Sequence, residues 1–580
     1  MLTGGIQIPH PKFFLKERPL KLDSFKELHR LHPGLLHLYD LSGHLEEKGD
    51  VHMDQRFRII GASGLSRSGA MNLTVEKNVN KSEVEIQDIS GFMKVTHLLD
   101  PISWLRGKYE VEDLSGAVSF FKAAPNEKIK EKLNNSMNQA YVEAVASYSL
   151  SKLREGDISP HFHYFYGAFR GISDTYSYNI SDVFASYRHC RWFWDHQENG
   201  IFELSVDNEE SLEQEVLEAI FEPPSTLHSE TTSDADNETE ELESLGGPVT
   251  AAAVELESLS TTSMESVSYK DEKDKDASET GDDEDASEAG DDEDESEAGD
   301  DDSEDESLNV LAKINNFPVM LLFTESSEGT MDSLLENFDE VGAKPGTKKW
   351  DEIWLAWVFQ IISALCVVQA MFGFSHNDLH TNNIVWIKTD IKFLFYRSRD
   401  GTTWKVPTHG KLFRIIDFGR AIFWINKKLF CSDDFSEGND AADQYNFGPL
   451  KIDDFSPEVH PNPSFDLCRL AVSLFEGLFP VEPLIKKGAM ILSAEPGLKV
   501  RETESDLYNL LWSWMIDEDG RNVMMEPNGK ERYPDFDLYK VIAAKVHEAV
   551  PSEQITRPIF DRFRTSKNSV GKAKVYNLFC

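Results

Sequence analysis

The sequence predicts an α+β protein of two lobes, a β-rich lobe followed by an α-helical one, with a long disordered acidic insertion. Three observations predict it. Between Phe57 and Val95, the strand-like runs FRIIG, MNLTVE and DISGFMKV alternate with glycines. From Trp350 onward the apolar runs are mostly of helical length. Residues 207–308 are Asp, Glu, Ser, Ala and Gly, almost without aromatics.

Taken in order, residues 1–50 form an N-terminal extension rich in Leu, His and Lys, without an assignable motif. Residues 51–206 are the first part of the β-rich lobe. Gly61, Gly64 and Gly69 separate its first two strands, and Asn135–Leu153 has the apolar spacing of an amphipathic helix. His161–Gly167 returns to strand. Residues 207–308 carry 39 acidic and 3 basic side chains, a net of −36, and repeat a nine-residue unit at 276–284, 285–293 and 294–302. Like charges repel there, and no apolar surface offsets the entropy of ordering. Folded-type sequence resumes at Asn316–Phe323, so the segment reads as looped out, at a closure cost that grows only slowly with length. Residues 309–335 complete the lobe and connect it to residues 336–580, the helical lobe with its C-terminal extension. There Trp350–Phe374 reads as a helix, Ile384–Lys388 and Leu412–Ile416 as strands, and Arg399-Asp400-Gly401 as a hairpin. Phe465–Phe479, Ser505–Met515 and Tyr539–Ala549 read as further helices.

Outside the insertion the net charge of −44 shrinks to −8, so the folded part is only mildly acidic. Five scattered cysteines without a C-x-x-C pair make neither a disulfide framework nor a zinc site, and suit a reducing compartment. The N-terminus lacks the apolar core of a signal peptide. The expected location is intracellular, not secreted. The apolar run from Ile353 to Phe374 is interrupted by Gln360 and Gln369 and reads as a buried core helix, not a membrane span.

Two segments carry the chemistry. His376-Asn377-Asp378-Leu379-His380-Thr381-Asn382-Asn383 has the form H-x-D-x-x-x-x-N, and Phe413–Ile416 is an apolar strand ending in Asp417-Phe418-Gly419. In this order, after a long apolar helix, they supply one general base and two oxygen ligands for a hard cation, the equipment of ATP-dependent phosphoryl transfer. Asp378 is the expected base. Asn383 and Asp417 are the expected Mg2+ ligands. His376 is expected to buttress the loop. His380 either approaches the transferred phosphate or fills the loop.

These motifs resemble those of the eukaryotic-type protein kinase superfamily. The segments FMKVTHLLDPISWLRGKY and YVEAVASYSLSKL…ISPHFHYFYG resemble the divergent serine/threonine kinase-like proteins of large nucleocytoplasmic DNA viruses, which implies host cytoplasm or virion. The D-L-H form of the loop is also similar to haspin-type kinases and to small-molecule phosphotransferases. The resemblance covers roughly residues 55–205 and 310–480. It implies a bilobal protein-kinase-like fold and a lysine that holds nucleotide phosphates and pairs with a helix glutamate. Lys94 is the choice, with Lys122 its rival, and Glu143 is the implied partner. It also implies phosphate contacts from the Gly61, Gly64 and Gly69 segment, with Arg67 a possible addition, although that segment is not G-x-G-x-x-G and suits a plain hairpin turn as well. Main-chain groups around Glu325 would meet adenine.

The chain departs from the family where Asn377 replaces an arginine, where His380 replaces a lysine, and where no clear A-P-E follows Gly419. Pro457-Glu458 is the nearest match to that last motif. Ser464-Phe465-Asp466-Leu467 suits the aspartate that anchors the catalytic loop. The implied activity is transfer of the γ-phosphoryl group of ATP, with Mg2+, to Ser/Thr hydroxyls of a protein substrate. A pseudokinase scaffold and a small-molecule phosphotransferase remain the alternatives. The acidic insertion reads as a solubilising spacer or as a docking tail for basic proteins, and would repel nucleic acid and anionic membranes.

Overall fold

The computed structural model describes residues 22–29, 55–66, 68–80, 83–109, 126–206, 309–425, 428–436, 441–445 and 459–580, apart from 496, 497, 535, 567 and 568, with a few isolated positions besides. Arg67, Lys122, Pro457, Glu458 and nearly all of the acidic segment lie outside the described residues. The chain is mixed α+β. It forms two compact units, Met1–Tyr176 with Ile314–Cys580, and Ser177–Lys313. These divisions fall outside the composition change at 207 and 308, because composition marks where apolar residues run out and packing decides where a unit closes.

The main sheet uses β1 (Phe25–His29), β2 (Phe57–Ser63), β3 (Ala70–Asn80), β4 (Glu83–His97), β5 (Phe165–Asn179), β6 (Glu203–Val206) and β7 (Val310–Glu325). Its order is β1-β5-β7-β4-β3-β2, and β6 pairs with the first residues of β7. β7 is buried without a break from Phe317 to Phe323, as a central strand covered on both faces requires. Its antiparallel register with β4 sets Lys94 opposite Leu322 and Gly91 opposite Glu325. β1 was not legible in the N-terminal extension. It is five residues long and finds its partner, β5, far along the chain.

In the Ser177–Lys313 unit, short helices at Ser181–Tyr187 and Arg191–Glu198 gather Phe184, Phe193 and Phe202 into one aromatic cluster.

The helix expected over Asn135–Leu153 spans Gln139–Glu155. Asn135 instead ends a preceding helix, Glu127–Asn134, and the Asn138 side chain caps the new one by accepting from Ala140 N. Its middle is buried on every side, unlike an amphipathic surface helix. Tyr148 meets Phe165 of the sheet, while Val145 and Leu150 join the main core.

Lys348–Phe372 forms the central helix, with Thr347 as N-cap and Gly373, at φ +58°, ending it. It is long and apolar enough to cross a membrane, yet 83% of its most apolar window is buried inside the fold. The two interrupting glutamines are both used. Gln360 Nε2 donates to Lys411 O and its Oε1 accepts from Phe413 N, while Gln369 Nε2 donates to Pro463 O. Trp350, Trp354 and Trp357 follow one another along the helix with ring centroids 5.4 and 5.2 Å apart.

Short strands flank this helix. β8 (Gly329–Thr330) precedes it; β9 (Ile384–Lys388) and β12 (Lys411–Ile415) follow as the expected strands, and β10 (Phe393–Arg397) and β11 (Thr403–Pro407) as the expected hairpin about Arg399-Asp400-Gly401. They form two small sheets, β12-β9-β8 and β10-β11 with Val575–Asn577. That last strand was not expected, because three residues carry too little periodicity to be read alone.

His161 ties the two parts of the core together. Its Nδ1 donates to Phe413 O and its Nε2 accepts from the Tyr396 hydroxyl, both at 2.8 Å, and its carbonyl accepts from Ile415 N. Burial pushes the ring pKa down to about 4, so it is neutral in the fold. An unfolded histidine titrates near 6.5, so the unfolded state binds the extra proton first, and stability present above that pH is lost as pH falls toward 4. His161→Gln, which cannot protonate, is expected to flatten the acid limb of a melting-temperature profile between pH 6.5 and 4.

Candidate active site

The antiparallel register of β9 with β12 sets Ile384 opposite Ile415. Asn383 precedes the first and Asp417 follows the second by two residues, so both fall at the same end of the pair, where Ile416 N donates to Asn383 O. His376 Nε2 lies 2.8 Å from Ile416 O and joins the two motifs. Asp466, at the start of the Phe465–Leu478 helix, accepts from the backbone N–H of His376 and Asn377 at 2.9 Å. His376 and Asp466 thus both hold the loop.

Asn377 and Asp417 sit at φ +65° and +62°, in the left-handed region that non-glycine residues avoid. Asn377 is held there by its own amide, which donates to Arg420 O and accepts from Ser375 Oγ and the Tyr445 hydroxyl. Gly419 allows this segment to pack closely: a Cβ there would lie 2.9 Å from Gln139 Nε2, at the first turn of the Gln139–Glu155 helix.

Lys94 reaches across from β4. Its Nζ lies 2.8 Å from Glu143 Oε1 and 2.8 Å from Asp417 Oδ1. Burial works against the Lys94 charge, but Asp417 and Glu143 outweigh it and raise its pKa. Burial also pushes Glu143 up, against Lys94 and the Thr96 hydroxyl, while Lys94 holds Asp417 below the usual carboxylate range despite its own desolvation. Glu143 is buried, whereas Asp417 keeps 41% of its side-chain exposure, enough to meet a ligand.

Asn383 Nδ2 donates to Asp378 O at 2.9 Å and to His380 Nε2 at 2.8 Å. That leaves the carboxamide oxygen to face a cation, and turns His380 toward supporting Asn383. Asp378 is opposed by burial, yet Arg420, His380, Arg469 and the Tyr539 hydroxyl together lower its pKa. It is therefore ionised at neutral pH, as a base must be. Among the described residues no group of three His, Cys, Asp or Glu side chains converges. One carboxylate and one amide oxygen still fit Mg2+, which binds few protein oxygens and takes its remaining ligands from phosphate and water.

The glycine segment is the β2–β3 hairpin connection. Gly69, at φ +87°, donates to Ser66 O and accepts from Met93 N, and a Cβ there would meet Met93 O at 2.7 Å. Its backbone is spent on β4 beside Lys94. Gly61 lies within β2 at a register shift, and Gly64 turns the chain at φ +67°.

A stretch of 59 residues is 42% identical to the serine/threonine-protein kinase haspin of Mus musculus. That match covers 10% of this chain and 8% of the mouse protein. No family model matches the chain. The likeness points to a relationship with protein kinases.

Two carboxylates organise the site: Glu325, expected only to offer main-chain groups to adenine, and Asp433, which the sequence left unexplained. The Glu325 carboxylate is turned inward, paired with Arg154 of the Glu143 helix and, at 2.9 Å, with Arg414 of β12. Only the main chain at 325 is left to offer to a nucleotide. Asp433 holds the other end of that helix: it accepts from Gln139 N at 3.1 Å and Asn135 Nδ2 at 3.0 Å and pairs with Lys132 Nζ at 2.6 Å. No spacing rule links these positions to their partners, so neither side-chain role was findable without the fold.

Glu325→Gln leaves the buried Arg414 and the partly buried Arg154 guanidinium groups without their carboxylate and is expected to cost about 3 kcal/mol in chemical denaturation. Asp433→Asn is expected to raise hydrogen exchange at Gln139, Ala140 and Tyr141 well above exchange at the helix C-terminus.

Proposed function

We propose that the chain is a Mg-ATP-dependent protein kinase that phosphorylates serine or threonine side chains. Lys94 between Glu143 and Asp417 carries this reading, with Asp378 and Asn383 on the adjoining loop. The kinase likeness of the 59-residue match supports it. On this reading residues 51–206 and 309–335 form the smaller lobe of a bilobal fold, and residues 336–580 the larger.

Lys94, kept charged, binds and orients the α- and β-phosphates. Glu143 sets its direction. Asp378 accepts a hydrogen bond from the attacking hydroxyl and takes its proton as that oxygen bonds to the γ-phosphorus and the bond from the γ-phosphorus to the β–γ bridging oxygen breaks, releasing ADP. Asn383 Oδ1 and Asp417 hold Mg2+, which when bound neutralises phosphate charge. The acidic segment serves as a docking arm for basic protein partners inside the cell. The Lys94–Glu143 pair weighs against a pseudokinase, since a scaffold has no need to keep that lysine charged and directed.

Transfer of labelled phosphate from ATP to peptide arrays tests this. The wild type is expected to label Ser or Thr peptides, and Asp417→Ala to fall about 100- to 1000-fold. Equal labelling by both ends the reading, and labelling of small alcohols without peptides replaces it by a small-molecule phosphotransferase.

A further inference from the structure

The Asp537–Lys545 helix, far beyond both motifs in sequence, comes back to the expected base. The Tyr539 hydroxyl donates to Asp378 Oδ1 at 2.7 Å, and Arg469 Nε donates to the same hydroxyl at 3.0 Å. Arg420 Nη1 stands 3.7 Å from the other oxygen, Oδ2. The tyrosine ring has little room to move. It stacks on Phe536 with centroids 5.2 Å apart, packs on Phe465 at 5.9 Å, and carries the Arg469 guanidinium over its face at 5.2 Å. Asn462 Nδ2 fastens the end of the helix by donating to the carbonyls of Ile542, Ala543 and Val546. Phe465 is next in sequence to Asp466, which caps the loop from the other side.

We propose that Tyr539 is a positioning residue for Asp378, which fixes the rotation of the carboxylate and reserves Oδ2 for the attacking hydroxyl. This rests on the kinase reading. The chain of donors runs one way, from Arg469 to Tyr539 to Asp378, so the hydroxyl can only give its proton toward the carboxylate. Burial, and then Asp378 itself, raise the tyrosine pKa, so that proton is retained. A base already holding one hydrogen bond at Oδ1 presents its remaining lone pairs in a fixed direction, which is how positioning lowers a barrier. The charged and titratable groups that face Asp378 are Arg420, His380, Arg469 and Tyr539.

Tyr539→Phe in the full-length chain keeps the ring and removes the donor. It is expected to lower kcat about tenfold and leave KM for ATP within about twofold. A thermal-denaturation cycle of Tyr539→Phe with Asp378→Asn is expected to be non-additive, and this reads the hydrogen bond without any phosphate transfer. An additive cycle overturns the proposal. So does an active Tyr539→Phe enzyme with unchanged kcat, which would leave the contact merely structural. Labelled phosphate mapped to Tyr539 itself overturns it as well, since the hydroxyl would then be an acceptor. A wild type that transfers no phosphate while the cycle stays non-additive removes the kinase reading, and the positioning role falls with it.

Discussion

One ammonium group between two carboxylates organises this protein. Lys94 comes from the sheet, Glu143 from the helix beneath it, and Asp417 from the segment after β12. Burial disfavours each of the three charges, and the ammonium offsets that cost for both carboxylates, which by themselves repel one another. Their mutual need draws three elements to one point. The same contact leaves Asp417 partly exposed, so the group with the lowest proton affinity of the three is the one presented outward.

The neighbouring carboxylates show how environment assigns different work to one chemical group. Asp466 is fully enclosed and spends both oxygens on backbone N–H groups, so it holds a loop. Glu325 is paired with two arginines and joins the far end of the Glu143 helix to β12. Asp433 grips the near end through a lysine, an asparagine and a backbone amide. Thus the helix that carries Glu143 is tied at both ends by acids from distant segments and in its middle by Lys94.

Much of the site was legible because its residues are close in sequence. The spacing from Asp378 to Asn383 is that of one tight loop, and Asp417 follows directly on a buried strand, so local pattern was enough to single them out. The central helix was readable from its apolar length, and its two glutamines argued correctly for a protein interior. The glycine segment was harder. Gly61, Gly64 and Gly69 look alike in sequence, but one lies in a strand, one turns the chain, and one is pinned against β4. The Val575–Asn577 strand escaped notice because three residues show no period, and β1 because its partner lies far along the chain.

By itself the sequence determined which segments could carry chemistry: a base and an amide at loop spacing, an acid after a buried strand, and a lysine in a strand near a helix glutamate. Local backbone geometry depends on neighbouring residues, and those neighbours are written side by side. The tertiary structure alone decided which distant groups meet. Lys94 finds Asp417, Arg414 finds Glu325, and Tyr539 finds Asp378 only after the sheet and helices have packed. Such contacts are rewarded by burial and charge pairing across hundreds of residues of chain, and no local spacing records them.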